Sequence, residues 1–221
     1  SQIVDQQFAE IWGDTNFPLI GTYPLSHKIH RPHALDFVRF ANTLQGNYAA
    51  ASKAARQGAD SAGTDPAMIN RGQKRIVQSW MVEKIFGQWG LILSTKDPHK
   101  ETPYLNGMWS YVKGSALVAR GKLVEAEAEL KNLRQQIDKD GVNDTGVDPT
   151  SAAHLLTLAA NGLLGELREA QGDLDGAINA FTTAVQLEDG NSYIEPPDWP
   201  QSMRLYLGAA LLAKGQAKEA E

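Results

Sequence analysis

The stretch from Ala153 to Leu187, AHLLTLAANGLLGELREAQGDLDGAINAFTTAVQL, constrains the fold more than any other part of the chain. Leu155, Leu156, Leu158, Leu163, Leu164 and Leu167 recur at helical spacing and give one apolar face. Gly165 falls in the middle of that helix, where glycine costs about 1 kcal/mol relative to alanine. Such a glycine is explained by close approach, with a neighbouring helix pressed against the backbone. Gln171-Gly172-Asp173 breaks the pattern and puts a glycine at a helix C-cap. A second amphipathic run follows through Leu174, Ala177, Ile178, Phe181, Ala184, Val185 and Leu187. The reading is two helices and a tight turn, with small residues at the contact and Phe181 filling the groove. One such hairpin cannot bury its own apolar face, whereas stacked copies can.

Copies of graded quality occur along the rest of the chain. Residues 103–137 carry Gly114, Gly121, Leu123, Ala126, Leu130 and Leu133 at matching positions. Residues 27–60 carry Leu35, Val38, Ala41 and Leu44, the turn Gln45-Gly46-Asn47, then Tyr48, Ala51 and Ala55. There Arg39 stands where a small residue is expected, so looser or rearranged packing is predicted. Residues 66–95 form the weakest copy: a long apolar helix ending at Ile85-Phe86, a turn at Gly87-Gln88-Trp89, and a short second helix ending near Leu93. Trp80 replaces the contact glycine in that copy. Residues 197–221 restart the pattern with Leu207-Gly208, Gly215, Ala217 and Ala220 and stop early in a second helix. Residues 1–26 read as a short helix and a loop. The polar stretch from Asp138 to Pro149 reads as a loop, with Thr150 or Ser151 capping the helix after it.

Leu164-Gly165, Gly172, Leu174, Ala177, Phe181 and Ala184 resemble the signature of the tetratricopeptide repeat. Gly87 to Gly121 is a step of 34 residues, the period of that family. The link Tyr193-Ile194-Glu195-Pro196-Pro197-Asp198-Trp199, feeding an Arg-x-x-Leu-Gly helix, is similar to a group of bacterial multi-repeat proteins. The resemblance implies one all-α domain over residues 1–221, a right-handed α–α superhelix of about four to five helix-turn-helix repeats. It also implies a binding role, with no cofactor and no reaction. Its first helices would line a concave groove, and the register places His33, Asp36, Lys74, Lys84, Met108, Tyr111, Ser115, Glu166 and Glu169 there. That face mixes both charges with apolar groups, which suits an extended peptide or a partner protein. The partners expected are therefore proteins or peptides, with homo-oligomer contacts through the solenoid ends as a further expectation.

Composition bounds the alternatives. A net charge of −5 argues against a general nucleic-acid binder, which carries a basic face. Absence of cysteine removes disulfides, thiolate metal sites and a cysteine nucleophile, yet fits either cytosol or periplasm. No apolar run approaches the roughly 20 residues of a membrane helix, so membrane insertion is not expected. The chain starts at Ser1 and stops inside a helix pattern, and reads as a segment of a longer protein.

Two chemical readings compete with peptide binding. His27, His30 and His33 form the densest cluster of imidazoles and could hold a transition metal, completed by Asp36, His99 or His154. The plainer expectation is that these rings pack or cap a helix start, because no second ligand cluster accompanies them. An enzyme or small-molecule binder is the other rival. Glu125, Glu127, Glu129, Glu166 and Glu169 sit among lysines and arginines, as on a solvated helix face. No nucleophile elbow, P-loop or dinucleotide fingerprint is present, so no catalytic residue is assigned.

Overall fold

The structure is a computed structural model and describes residues 30–61, 72–96, 102–143 and 149–221. Every regular element among the described residues is an α-helix. They are α1 (His30–Leu44), α2 (Tyr48–Asp60), α3 (Gly72–Ile85), α4 (Trp89–Ser94), α5 (Pro103–Ala119), α6 (Leu123–Ile137), α7 (Ala152–Ala170), α8 (Leu174–Asp189), α9 (Met203–Ala213) and α10 (Ala217–Ala220). None of them is long and apolar enough to cross a membrane.

One turn design recurs. Three residues join α1 to α2, α3 to α4, α5 to α6, α7 to α8 and α9 to α10. Each link carries a glycine in the left-handed region: Gly46, Gly87, Gly121, Gly172 and Gly215, with φ between 65 and 83°. At Gly172 the amide donates to Glu169 O at 3.0 Å, and Asp173 N donates to Arg168 O at 2.9 Å. This crossed pair satisfies carbonyls that the helix end would otherwise leave open. Asp173 then caps α8, its carboxylate accepting from Gly176 N at 2.9 Å. The same crossed pair recurs at Gly46, Gly121 and Gly215. Of the two residues proposed to cap α7, Ser151 does so, accepting from His154 N, while Thr150 Oγ1 accepts from Ser192 N at 3.3 Å.

The chain divides into two compact units. In the first, α1 packs on α2 and α2 on α3, and the linker Ile194–Pro200 belongs to it as well. Leu35, Val38 and Ala54 form one buried cluster, Ala51, Ala55 and Val82 another, and Ile76, Val77, Trp80 and Met81 of α3 are buried as well. In the second unit α5 packs on α6 and α7, α7 on α8, and α8 on α9. Small residues set those approaches. A Cβ at Gly114 would come within 2.5 Å of Leu163, and one at Gly165 within 2.3 Å of Phe181. Phe181 is fully buried and meets the Tyr206 ring at a centroid distance of 5.7 Å.

Helix α3 departs from the sequence reading. Its apolar face was legible, but Gln73, Lys74, Arg75, Gln78, Glu83 and Lys84 are buried too. A helix covered on every side must find partners for its polar groups.

Candidate functional site

Those buried polar groups of α3 organise two arrangements in the first unit. The first is a carboxylate clamp. Glu83, buried on α3, accepts from Tyr48 Oη at 2.5 Å, from Ser52 Oγ at 3.1 Å and from Arg56 Nη2 at 3.1 Å. All three donors are on α2. Burial pushes the Tyr48 hydroxyl above its usual pKa, and its bond to Glu83 adds to the rise. Three donors compensate one buried charge, so the clamp reads as the polar seam between α2 and α3.

The second arrangement is a small recess between α1, α3 and the linker. His33, Asp36 and Arg39 contribute from α1, Lys74 and Gln78 from α3, and Ile194–Asp198 form the remaining wall. Lys74 Nζ pairs with Asp198 Oδ1, both side chains being buried. Gln78 Nε2 donates to the backbone carbonyl of Asp198 at 3.0 Å. Arg39 Nε reaches Asp36 Oδ1 at 3.4 Å. Burial drives the Arg39 pKa down from its ordinary value, and Asp36 opposes that shift. Arg39 Nη1, Gln78 Oε1 and Asp198 Oδ2 are buried atoms without a hydrogen-bond partner among the described residues. The residues that carry them line a space of about 20 Å³, close to the room one water needs.

His33, Asp36 and Lys74, expected on a common groove, therefore do meet. Arg39 was noted in the sequence only as an anomaly in packing. It is 2% exposed, and its head group lies beside Asp36. Gln78 and Asp198 carried no sequence signal of their own. The linker around Asp198 did, through Pro196, Pro197 and Trp199.

The other expected groove residues have mixed fates. Lys84 is buried on α3. Met108, Tyr111 and Ser115 are buried on α5, each at most 2% exposed. Gly162 of α7 lies against the Tyr111 ring and Met203, so side chains of the unit itself fill this contact. Glu166 is half-buried and Glu169 exposed, three positions apart on α7. Desolvation raises the Glu169 pKa, and the nearby Glu166 charge adds to it.

Of the proposed metal ligands, His27, His99 and the side chain of His30 lie outside the described residues. His33 packs edge-on against Phe37 at 5.1 Å. The His154 ring is hydrogen-bonded to Leu187 O at 2.8 Å, which ties α7 to α8. Among the described residues no group of three potential ligands converges.

A larger concavity in the second unit, about 470 Å³, lies between α6 and α7. Leu130 and Leu167 lie at its base with Leu164 half-buried beside them, and basic side chains stand at its rim. No sequence pattern marked it. No protein-family model, curated protein or solved structure matches the chain.

Proposed function

We propose that the chain is a tetratricopeptide-like scaffold that holds extended protein segments on its paired-helix faces, and that it is not an enzyme. The observation that carries this reading is the occupant of the α1/α3 face. That face holds a proline-rich stretch of the chain's own linker. It takes the acidic side chain of Asp198 with Lys74 and the backbone carbonyl of the same residue with Gln78. An amide to a backbone carbonyl plus a charge to one side chain is how a groove holds an extended peptide. Prolines favour such recognition because they restrict the free segment and lower the entropy lost on binding. The repeated three-residue turn and the small residues at Gly114 and Gly165 support the repeat assignment. The ligand class proposed is a segment with prolines followed by an acidic residue.

The test uses the full chain carrying Pro197→Gly and Asp198→Ala, which weakens the internal occupant. A fluorescein-labelled peptide of sequence YIEPPDWP is titrated in and followed by anisotropy. Saturable binding is expected, and Lys74→Met in the same background should abolish it. If the weakened chain keeps its helical circular dichroism yet binds no peptide, the reading fails.

A further inference from the structure

Burial along the linker is uneven. The segment from Tyr193 to Pro200 is YIEPPDWP, and Ile194–Pro200 lies in the first unit. Tyr193 is 85% exposed, and Glu195 and Pro197 are exposed as well. Ile194 and Pro196 are half-buried. Asp198, Trp199 and Pro200 are buried, Asp198 at 8% exposure and Trp199 at 4%. Enclosure therefore begins at the acidic residue and continues through the indole that follows it.

Polar and apolar anchoring coincide at that point. The Asp198 carboxylate pairs with Lys74, and the Asp198 backbone carbonyl accepts from Gln78 Nε2 at 3.0 Å. Such bonds gain strength where water is kept out. An indole is the largest side chain available for that, and its rigid ring loses little entropy when fixed. Tryptophan is accordingly among the residues whose truncation weakens a binding interface most. The prolines contribute differently. Pro197 is exposed and Pro196 half-buried, so their main effect is to restrict the backbone. The segment carries two aromatic residues, of which Tyr193 is exposed and Trp199 enclosed. Position relative to the acid, rather than aromatic character alone, decides which one the fold holds.

We infer that the ligand element read by the first unit is an acidic residue followed directly by tryptophan, with the prolines before it acting as stiff spacers. This rests on the peptide-binding reading proposed above and narrows its ligand class. A segment with prolines and an acid but no tryptophan at the next position is a poor ligand. A segment that keeps the acid and the tryptophan but lacks the second proline remains a good one.

The test uses the full chain carrying Pro197→Gly and Asp198→Ala, with fluorescein-labelled peptides read by anisotropy. Relative to YIEPPDWP, the peptide YIEPPDAP should bind at least about thirtyfold more weakly, the loss that marks an interface hot spot. YIEPADWP should lose only about two- to fivefold, the entropic effect of one proline. SIEPPDWP should stay within about twofold of the parent, as expected for a position outside the buried anchor. Adding Trp199→Ala to the chain removes the competing internal ring and should tighten YIEPPDWP about tenfold, with circular dichroism as the check on folding. If that variant loses its helical signal, the peptide series in the parent chain decides by itself. Absence of binding by YIEPPDWP overturns the peptide reading and this inference with it. If YIEPPDWP binds and YIEPPDAP matches it within about twofold, the peptide reading stands and this inference alone is overturned. A loss on YIEPADWP as large as that on YIEPPDAP also overturns it, because the prolines would then be read directly. So does unchanged affinity in a folded Trp199→Ala chain.

Discussion

Glycine165 shows how a single residue can be read from sequence and then given a magnitude by structure. Its mid-helix position predicted a close helix contact, and Phe181 of α8 is that contact. An added Cβ would sit 2.3–2.7 Å from three ring carbons of Phe181. A ring at a fully buried site cannot swing aside as a leucine methyl can. Gly165→Ala should therefore destabilise by about 1–3 kcal/mol through overpacking, although alanine is the better helix former. Urea denaturation would check the sign, and a gain in stability would contradict the close contact. Arg39 is the opposite case. Its place in the pattern pointed to looser or rearranged packing, but a sequence cannot say where a long side chain ends. Burial beside Asp36 depends on the fold around it.

Among the elements, the five turns were legible because glycine marks a backbone requirement that no other residue meets cheaply. The short α4, ending at Ser94, was legible for a related reason: Lys96-Asp97-Pro98 closes it in sequence. Helix α3 was only half legible. Periodicity reports which face is apolar, but not that the polar face is buried as well. The linker Ile194–Pro200 depends on that hidden face through Lys74 and Asp198. Removing one partner strands a buried charge, so Lys74→Met should cost about 3–5 kcal/mol. Adding Asp198→Asn should recover much of the loss, because the stranded charge goes with it. A double-mutant cycle on thermal or urea unfolding measures this. Additive losses would mean that the two side chains do not act as a pair.

For the whole molecule, helices packing on near neighbours make stability local. Phe181→Ala removes a fully buried ring from the α7/α8 contact, a change typically worth about 3–5 kcal/mol. Amide exchange should speed up chiefly in α7 and α8, while α1 to α3 keep their protection. A uniform loss of protection along the chain would instead mark one indivisible cooperative unit.

What the sequence determined by itself is the all-α class, the hairpins and their turns, and the small residues at helix contacts. These follow from local rules, because helical periodicity, glycine caps and missing side chains act within a few residues of each other. Tertiary structure alone decided where the polar groups meet. Gln78 and Asp198 are 120 positions apart, and no spacing rule links residues at that distance. The α6/α7 groove likewise has no motif, since Lys131, Arg134 and Arg168 read as ordinary solvated charges until two helices bring them around Leu164. Ile194–Asp198 has the two prolines of a plain connector in sequence. It became one wall of a buried recess only because α3 presents Lys74 and Gln78 where its acidic residue lies.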